Sequence, residues 1–322
     1  MNEDFQDNQE EKTPETETKK IIPTMSPVTA AFFGLAAVFV LYQFGGAILT
    51  LAIFGMDFEK ADVNAVRLLT MGGQILLILL PALLFTRFIY HDVSAILKVK
   101  FPSIKEIGIF TLGLILLTPL LQSYVYIQSF VITKLAENFS FIKSAKVLVD
   151  QLDKLVESTY GSLLASHSIF EASFIVVVVA VVPAICEETF FRGFVLNSFR
   201  LKYKPFWSAL VTGLFFGLYH FNPYGLVPLI ALGVYFGFAA YTSNSIFVPM
   251  ALHFLNNFFA VVMFLALGDD ELISSSATVD QSPFALLVSF LILGGIFFLF
   301  ITYLKRNYHK FLHKPELNDT EL

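Results

Sequence analysis

The sequence has one cysteine, Cys186, and one tryptophan in 322 residues, and only 15% of its residues are charged. A single thiol excludes intrachain disulfides and any zinc centre built from several cysteines. With a net charge of −5 and no basic tract, neither nucleic acid nor anionic lipid is an expected partner, because phosphate binding needs a basic face. Scarcity of charge excludes most soluble classes, in which about a quarter of the residues are charged. Residues 206–268 contain no Lys, Arg, Asp or Glu at all.

What the chain has in quantity is apolar. Hydrophobic residues make up 56% of it, Phe alone occurs 37 times, and the mean hydropathy is +0.70. Much of this surface needs lipid as its solvent. Apolar stretches lie near 30–55, 68–88, 107–135, 169–199, 206–221, 226–241, 246–267 and 284–304. Most approach the roughly 20 residues that a helix needs to cross a bilayer. The expected fold class is therefore all-α, a polytopic membrane helix bundle of about eight spans, with 226–241 the weakest of them.

Residues 1–28 are acidic and read as a disordered tail. A membrane domain is expected over 29–305 and a short C-terminal tail over 306–322. Between the third and fourth spans, Phe141, Ala145, Leu148, Leu152 and Leu155 recur at helical spacing among charged residues. This predicts an amphipathic helix over 136–158 outside the lipid core.

Lys and Arg accumulate on the cytoplasmic side of membrane proteins. With both termini inside, Lys12, Lys19, Lys20, Arg87, Lys98, Lys100, Lys105, Arg200, Lys202, Lys204, Lys305, Arg306, Lys310 and Lys314 fall inside. Lys60, Arg67, Lys134, Lys143, Lys146 and Lys154 fall outside, and Arg192 alone lies within a span. The imbalance predicts cytoplasmic termini.

Ionisable groups inside the spans are few: Glu187, Glu188 and Arg192 in the fourth, His220 in the fifth and His253 in the seventh. Each intramembrane charge costs at least about 2.5–3.5 kcal/mol, so each needs a partner or a chemical role. At 100° per residue, Arg192 lies about 40° around a helix from Glu188 but about 140° from Glu187. Arg192 can then neutralise Glu188 and leave Glu187 free as a candidate general base. Pro183 cannot donate to the Val179 carbonyl and predicts a kink just before the glutamates. Glu187 and His220 both lie about 20–24 Å along their helices from the loop between them, so they can meet near mid-membrane. Asn257 is one turn from His253, with Asn256 about 60° away on the other side.

Glu187-Glu188-x-x-x-Arg192, Phe216-x-x-x-His220 and His253-x-x-x-Asn257, in this order on separate apolar helices, resemble the three motifs of the CPBP intramembrane proteases. That family includes CAAX-processing endopeptidases of the Ras-converting type and bacterial Abi proteins linked to bacteriocin maturation and self-immunity. The resemblance covers 169–267, the expected motif core. It implies an endopeptidase in which Glu187 activates water, His220 helps to hold it, and His253 and Asn257 donate to the oxyanion. It also implies a membrane-associated peptide or lipidated protein as substrate and a bacterial plasma membrane as location. No cofactor is expected. Zinc stays open, with His220, His253 and Glu187 as a conceivable ligand set, although the chain lacks a His-Glu-x-x-His helix. The alternatives are a non-catalytic immunity or scaffold protein, and a proton-coupled transporter using the same groups as a relay.

Overall fold

A computed structural model of the chain describes residues 21–56, 61–267 and 282–312. The expected tail over 1–28 lies outside the described residues except for its end, where Pro27 and Val28 already belong to a helix.

Helix α1, Pro27–Phe54, starts where Ser26 Oγ accepts from the Thr29 amide and Pro27 takes the first helical position. Helix α2 is Val63–Tyr90 and ends at His91 in the left-handed region, φ 63°. A short α3, Val93–Leu97, leads to α4, Ile104–Asn138, which opens on a capping box between Ser103 and Glu106. Then come α5, Ser140–Leu164; α6, Ile169–Arg200; α7, Pro205–Tyr219; α8, Leu226–Ser243; α9, Phe247–Leu267; and α10, Pro283–Leu312.

Seven of these helices are long and apolar enough to cross a membrane. Helix α7 is apolar but has 15 residues, about 22 Å of rise against a hydrocarbon core of about 30 Å. Eight expected spans thus become seven long helices and one short one. The stretch expected to be weakest, 226–241, is a full helix, α8, buried over half of its apolar window. The amphipathic helix runs over Ser140–Leu164 rather than 136–158, because α4 continues unbroken through Asn138 and the chain turns at Phe139. Residues 306–312, expected as tail, continue α10. Arg67, expected in an outer loop, is buried in α2, where Nε donates to the Leu163 carbonyl at 3.0 Å and Nη2 to that of Ala165. It thereby satisfies the carbonyls that close α5.

The core has two halves. Phe190, Phe194 and Phe199 of α6 pack with Ala31, Leu35 and Ile89 of α1 and α2, and with Phe216 of α7. Phe110 and Leu114 of α4 pack with Phe236, Val248 and Leu304 of α8 to α10. Helices α7 and α8 join the halves in backbone contact, since a Cβ on Gly233 would lie 2.9 Å from the Gly213 Cα. Only glycine permits such an approach. At one end of the bundle the turns are tied together: the Ile246 amide donates to the Lys98 carbonyl at 3.1 Å, Ser245 Oγ to that of Lys100 at 2.5 Å, and Tyr308 Oη to Glu106 Oε1 at 2.5 Å.

Candidate active site

Helix α6 is wound irregularly around its glutamates. Two π-helical turns, Val177–Val181 and Thr189–Val195, flank the α-helical Val182–Glu188. Such turns insert a residue and re-aim side chains, and they recur at functional sites. Pro183, where a kink is expected, lies in the α-helical stretch between these two turns. The Val179 carbonyl that Pro183 cannot serve accepts from Asn257 Nδ2 of α9 at 3.0 Å.

Glu188 is fully buried, and its Oε1 receives both Arg192 Nη1 and His253 Nδ1 at 2.7 Å. Arg192 Nη2 donates to the Gly233 carbonyl at 3.1 Å, and its guanidinium lies 4.4 Å from the centroid of the Phe216 ring. The pairing expected from helical spacing is present, and His253 joins it. Desolvating two charges is costly, and breaking such a pair is costlier still, so this cluster fixes α6, α8 and α9 relative to one another.

Glu187 has a different environment. Oε1 accepts from Gln74 Nε2 of α2 at 3.1 Å, while Oε2 has no hydrogen-bond partner and lies 4.0 Å from His220 Nε2. His220 Nδ1 is 2.7 Å from the Phe216 carbonyl. A carbonyl can only accept, so in the neutral ring Nδ1 carries the hydrogen and Nε2 a lone pair. In that form two acceptors face each other across 4.0 Å. His220 sits just past the last residue of α7, and Phe221 follows at φ 47°. The short helix thus ends at the site, and Gln43 Nε2 of α1 holds its last carbonyl, that of Tyr219, at 3.1 Å.

All six predicted residues occupy described positions. Glu187 meets His220; Glu188, Arg192 and His253 form one cluster; Asn257 engages Val179. Asn256 Nδ2 donates to Asn257 Oδ1 at 3.1 Å, so the two asparagines act as a pair. Among the described residues no three His, Cys, Asp or Glu side chains converge as metal ligands, and His220, His253 and Glu187 form no such set. Gln74 was missed. It is a buried amide in an apolar helix, which a search extended from ionisable to all strongly polar groups would have included.

Outside the spans, α5 is tied to the turn that follows His220. Tyr224 Oη donates to Asp150 Oδ1 at 2.5 Å, Lys146 Nζ pairs with Asp150 at 2.7 Å, and Gln128 Nε2 donates to the Tyr224 carbonyl at 3.2 Å. Burial acts to raise the Asp150 carboxyl, but hydrogen bonds from Lys146 and Tyr224 and the Lys146 charge outweigh it and hold the group below its ordinary value.

Residues 169–259, from the start of α6 into α9, match the family described as Type II CAAX prenyl endopeptidase Rce1-like. Over these residues the chain is similar to the CPBP intramembrane proteases, as its motifs lead one to expect. All six motif residues lie inside the matched segment. A protein of Bacillus subtilis (strain 168) described as "Putative membrane peptidase YdiL" is 28% identical over 122 residues, covering 38% of this chain and 46% of that relative. The match thus spans less than half of the curated relative. No solved structure matches the chain.

Proposed function

We propose that this protein is an intramembrane endopeptidase hydrolysing a peptide bond in a membrane-associated peptide or lipidated protein. The observation that carries the reading is the 4.0 Å gap between Glu187 Oε2 and His220 Nε2, both acceptors. Water is the small molecule with two donors to give, one to each. Glu187 takes the proton as the water oxygen attacks the carbonyl carbon. The tetrahedral intermediate then collapses with cleavage of the C–N bond, and Glu187 returns the proton to the departing amine. A positioned base of this kind contributes about 10²–10⁴ in rate.

The oxyanion needs donors. Asn257 Nδ2 has a second hydrogen beyond the one given to Val179. His253 turns Nδ1 to Glu188, so Nε2 donates only when the ring carries both protons. Glu188 and Arg192 touch no reacting atom in this scheme and act as positioning residues.

In Glu187→Gln and His220→Ala variants that elute as folded protein, cleavage of membrane-bound test peptides should fall by about 100-fold or more. Full activity in either variant removes the assignment. A Glu187→Gln variant that cleaves nothing yet keeps its biological effect would instead favour a non-catalytic role.

A further inference from the structure

A cavity lies away from the glutamates, at the end of the bundle where α2 and α6 finish. It is about 150 Å³ and is lined by Ile21, Ile96, Lys98, Asn197, Arg200 and Leu201. Its two cations come from distant parts of the chain. Lys98 closes α3 in the left-handed region, φ 58°, with its carbonyl held by the Ile246 amide. Arg200 ends α6.

The cavity is built to hold positive charge in place. Asn197 spends its amide nitrogen on the carbonyls of Ile96, Arg192 and Gly193, at 2.8, 3.0 and 3.0 Å. That leaves its oxygen to accept from Arg200 Nη1 at 3.0 Å, which aims the guanidinium at the cavity. Among the described residues neither Lys98 nor Arg200 forms an ion pair. Burial and the neighbouring Arg200 charge both press the Lys98 ammonium below its ordinary value. Two unneutralised cations lining one partly closed cavity lack an anion.

The surroundings identify the phase from which that anion comes. Val99, Phe101, Leu201, Phe206 and Trp207 are exposed beside Lys100, Lys202 and Lys204, also exposed. Apolar and aromatic side chains interleaved with cations mark the headgroup level of a bilayer. Glu187 is 13 positions back along α6, roughly 20 Å away, so this is not the catalytic cavity.

We propose that Lys98 and Arg200 bind the phosphate of an anionic phospholipid headgroup, with Ile21, Ile96 and Leu201 against its glycerol and first methylenes. Bound there, the lipid ties the end of α6 to α3 and to the segment ahead of α1. No run of basic residues announces the site in sequence, because the fold assembles it from separate turns.

The full-length protein in nanodiscs of phosphatidylcholine, with or without phosphatidylglycerol, provides the test. Wild type should retain phosphatidylglycerol preferentially through purification and melt at a higher temperature in its presence. With Lys98→Gln and Arg200→Gln combined, retention should weaken by roughly 25-fold, about fivefold per cation near a membrane surface. Lys202→Gln with Lys204→Gln, on the rim, should keep most of it. Equal retention of both lipids by wild type overturns the proposal without reference to any variant. Inorganic phosphate at matched ionic strength raising the melting temperature as much as the lipid would assign the pair to a free anion and overturn it as well. So would a melting temperature that follows Glu15→Gln with Glu17→Gln and ignores the lipid, since the chain's own acidic segment would then be the partner.

Discussion

Glu187 and Glu188 are neighbours in sequence, yet their surroundings divide the work between them. Each has one oxygen without a hydrogen-bond partner, but Glu188 is fully buried with a guanidinium and an imidazole on its Oε1, whereas the unpartnered Oε2 of Glu187 faces His220 across 4.0 Å. Gln74 makes that division usable, because its amide nitrogen holds Glu187 Oε1 and so turns Oε2 toward His220. A hydrogen bond to a charged group is worth about 1.5–3 kcal/mol. Gln74→Leu should therefore lower kcat by roughly 10- to 100-fold with KM little changed, since the residue positions the base and does not touch substrate. Gln74→Asn, whose shorter amide falls short of Glu187, should behave like the leucine variant, while Gln74→His should recover part of the rate. Equal loss in all three together with reduced folded yield would mark Gln74 as a packing residue instead.

At the scale of helices, Pro183 and Asn257 answer one another across the α6–α9 contact. Pro183 leaves the Val179 carbonyl without its helical donor, and Asn257 supplies one from outside. Pro183→Ala restores a backbone N–H able to compete for that carbonyl and so frees the asparagine. The two substitutions should be non-additive: Asn257→Ala should destabilise wild type by about 1–3 kcal/mol, the cost of an orphaned buried carbonyl, and the Pro183→Ala background by less. Additive losses in a double-mutant cycle of thermal stability would show that the two do not share the carbonyl. Helix α5 is docked by a polar contact as well, from Tyr224 to Asp150, whose carboxylate Lys146 of the same helix also holds. A carboxyl held below its ordinary 3.8 contributes fully above that pH and loses its contribution as pH falls through the lower folded value. Tryptic cleavage near Lys143 and Lys154 should thus be flat between about pH 8 and pH 5, while Asp150→Asn should speed it a few-fold at neutral pH, consistent with the modest worth of half-exposed pairs. Faster cleavage of wild type already at about pH 5 would mean that Asp150 does not hold the helix.

For the whole molecule, sequence and structure meet where energy penalties are large and part where they are small. An ionisable group in an apolar run cannot escape notice, so Glu187, Glu188, Arg192, His220 and His253 are legible from composition alone, and the long helices follow from their length. A neutral amide such as Gln74 costs less to bury and does not stand out. The hydrogen bond from Asn257 to Val179 depends on which helices adjoin, and the pairing of Lys98 with Arg200 on how turns are brought together; neither relation has a local signal. Arg67, read as a loop residue when charge is counted by loop, lies in α2, where its guanidinium serves the end of α5. The expectation of cytoplasmic termini rests on that same count, and taking Arg67 out of the outer loop leaves the excess of basic residues on the other face larger. With Cys186→Ala as background, a single cysteine at the exposed Lys143 should react with an impermeant thiol reagent on intact cells, and one at the exposed Lys105 only after the membrane is opened. Labelling at Lys105 but not Lys143 on intact cells would invert the molecule, and with it the face on which the Lys98–Arg200 pair meets its lipid.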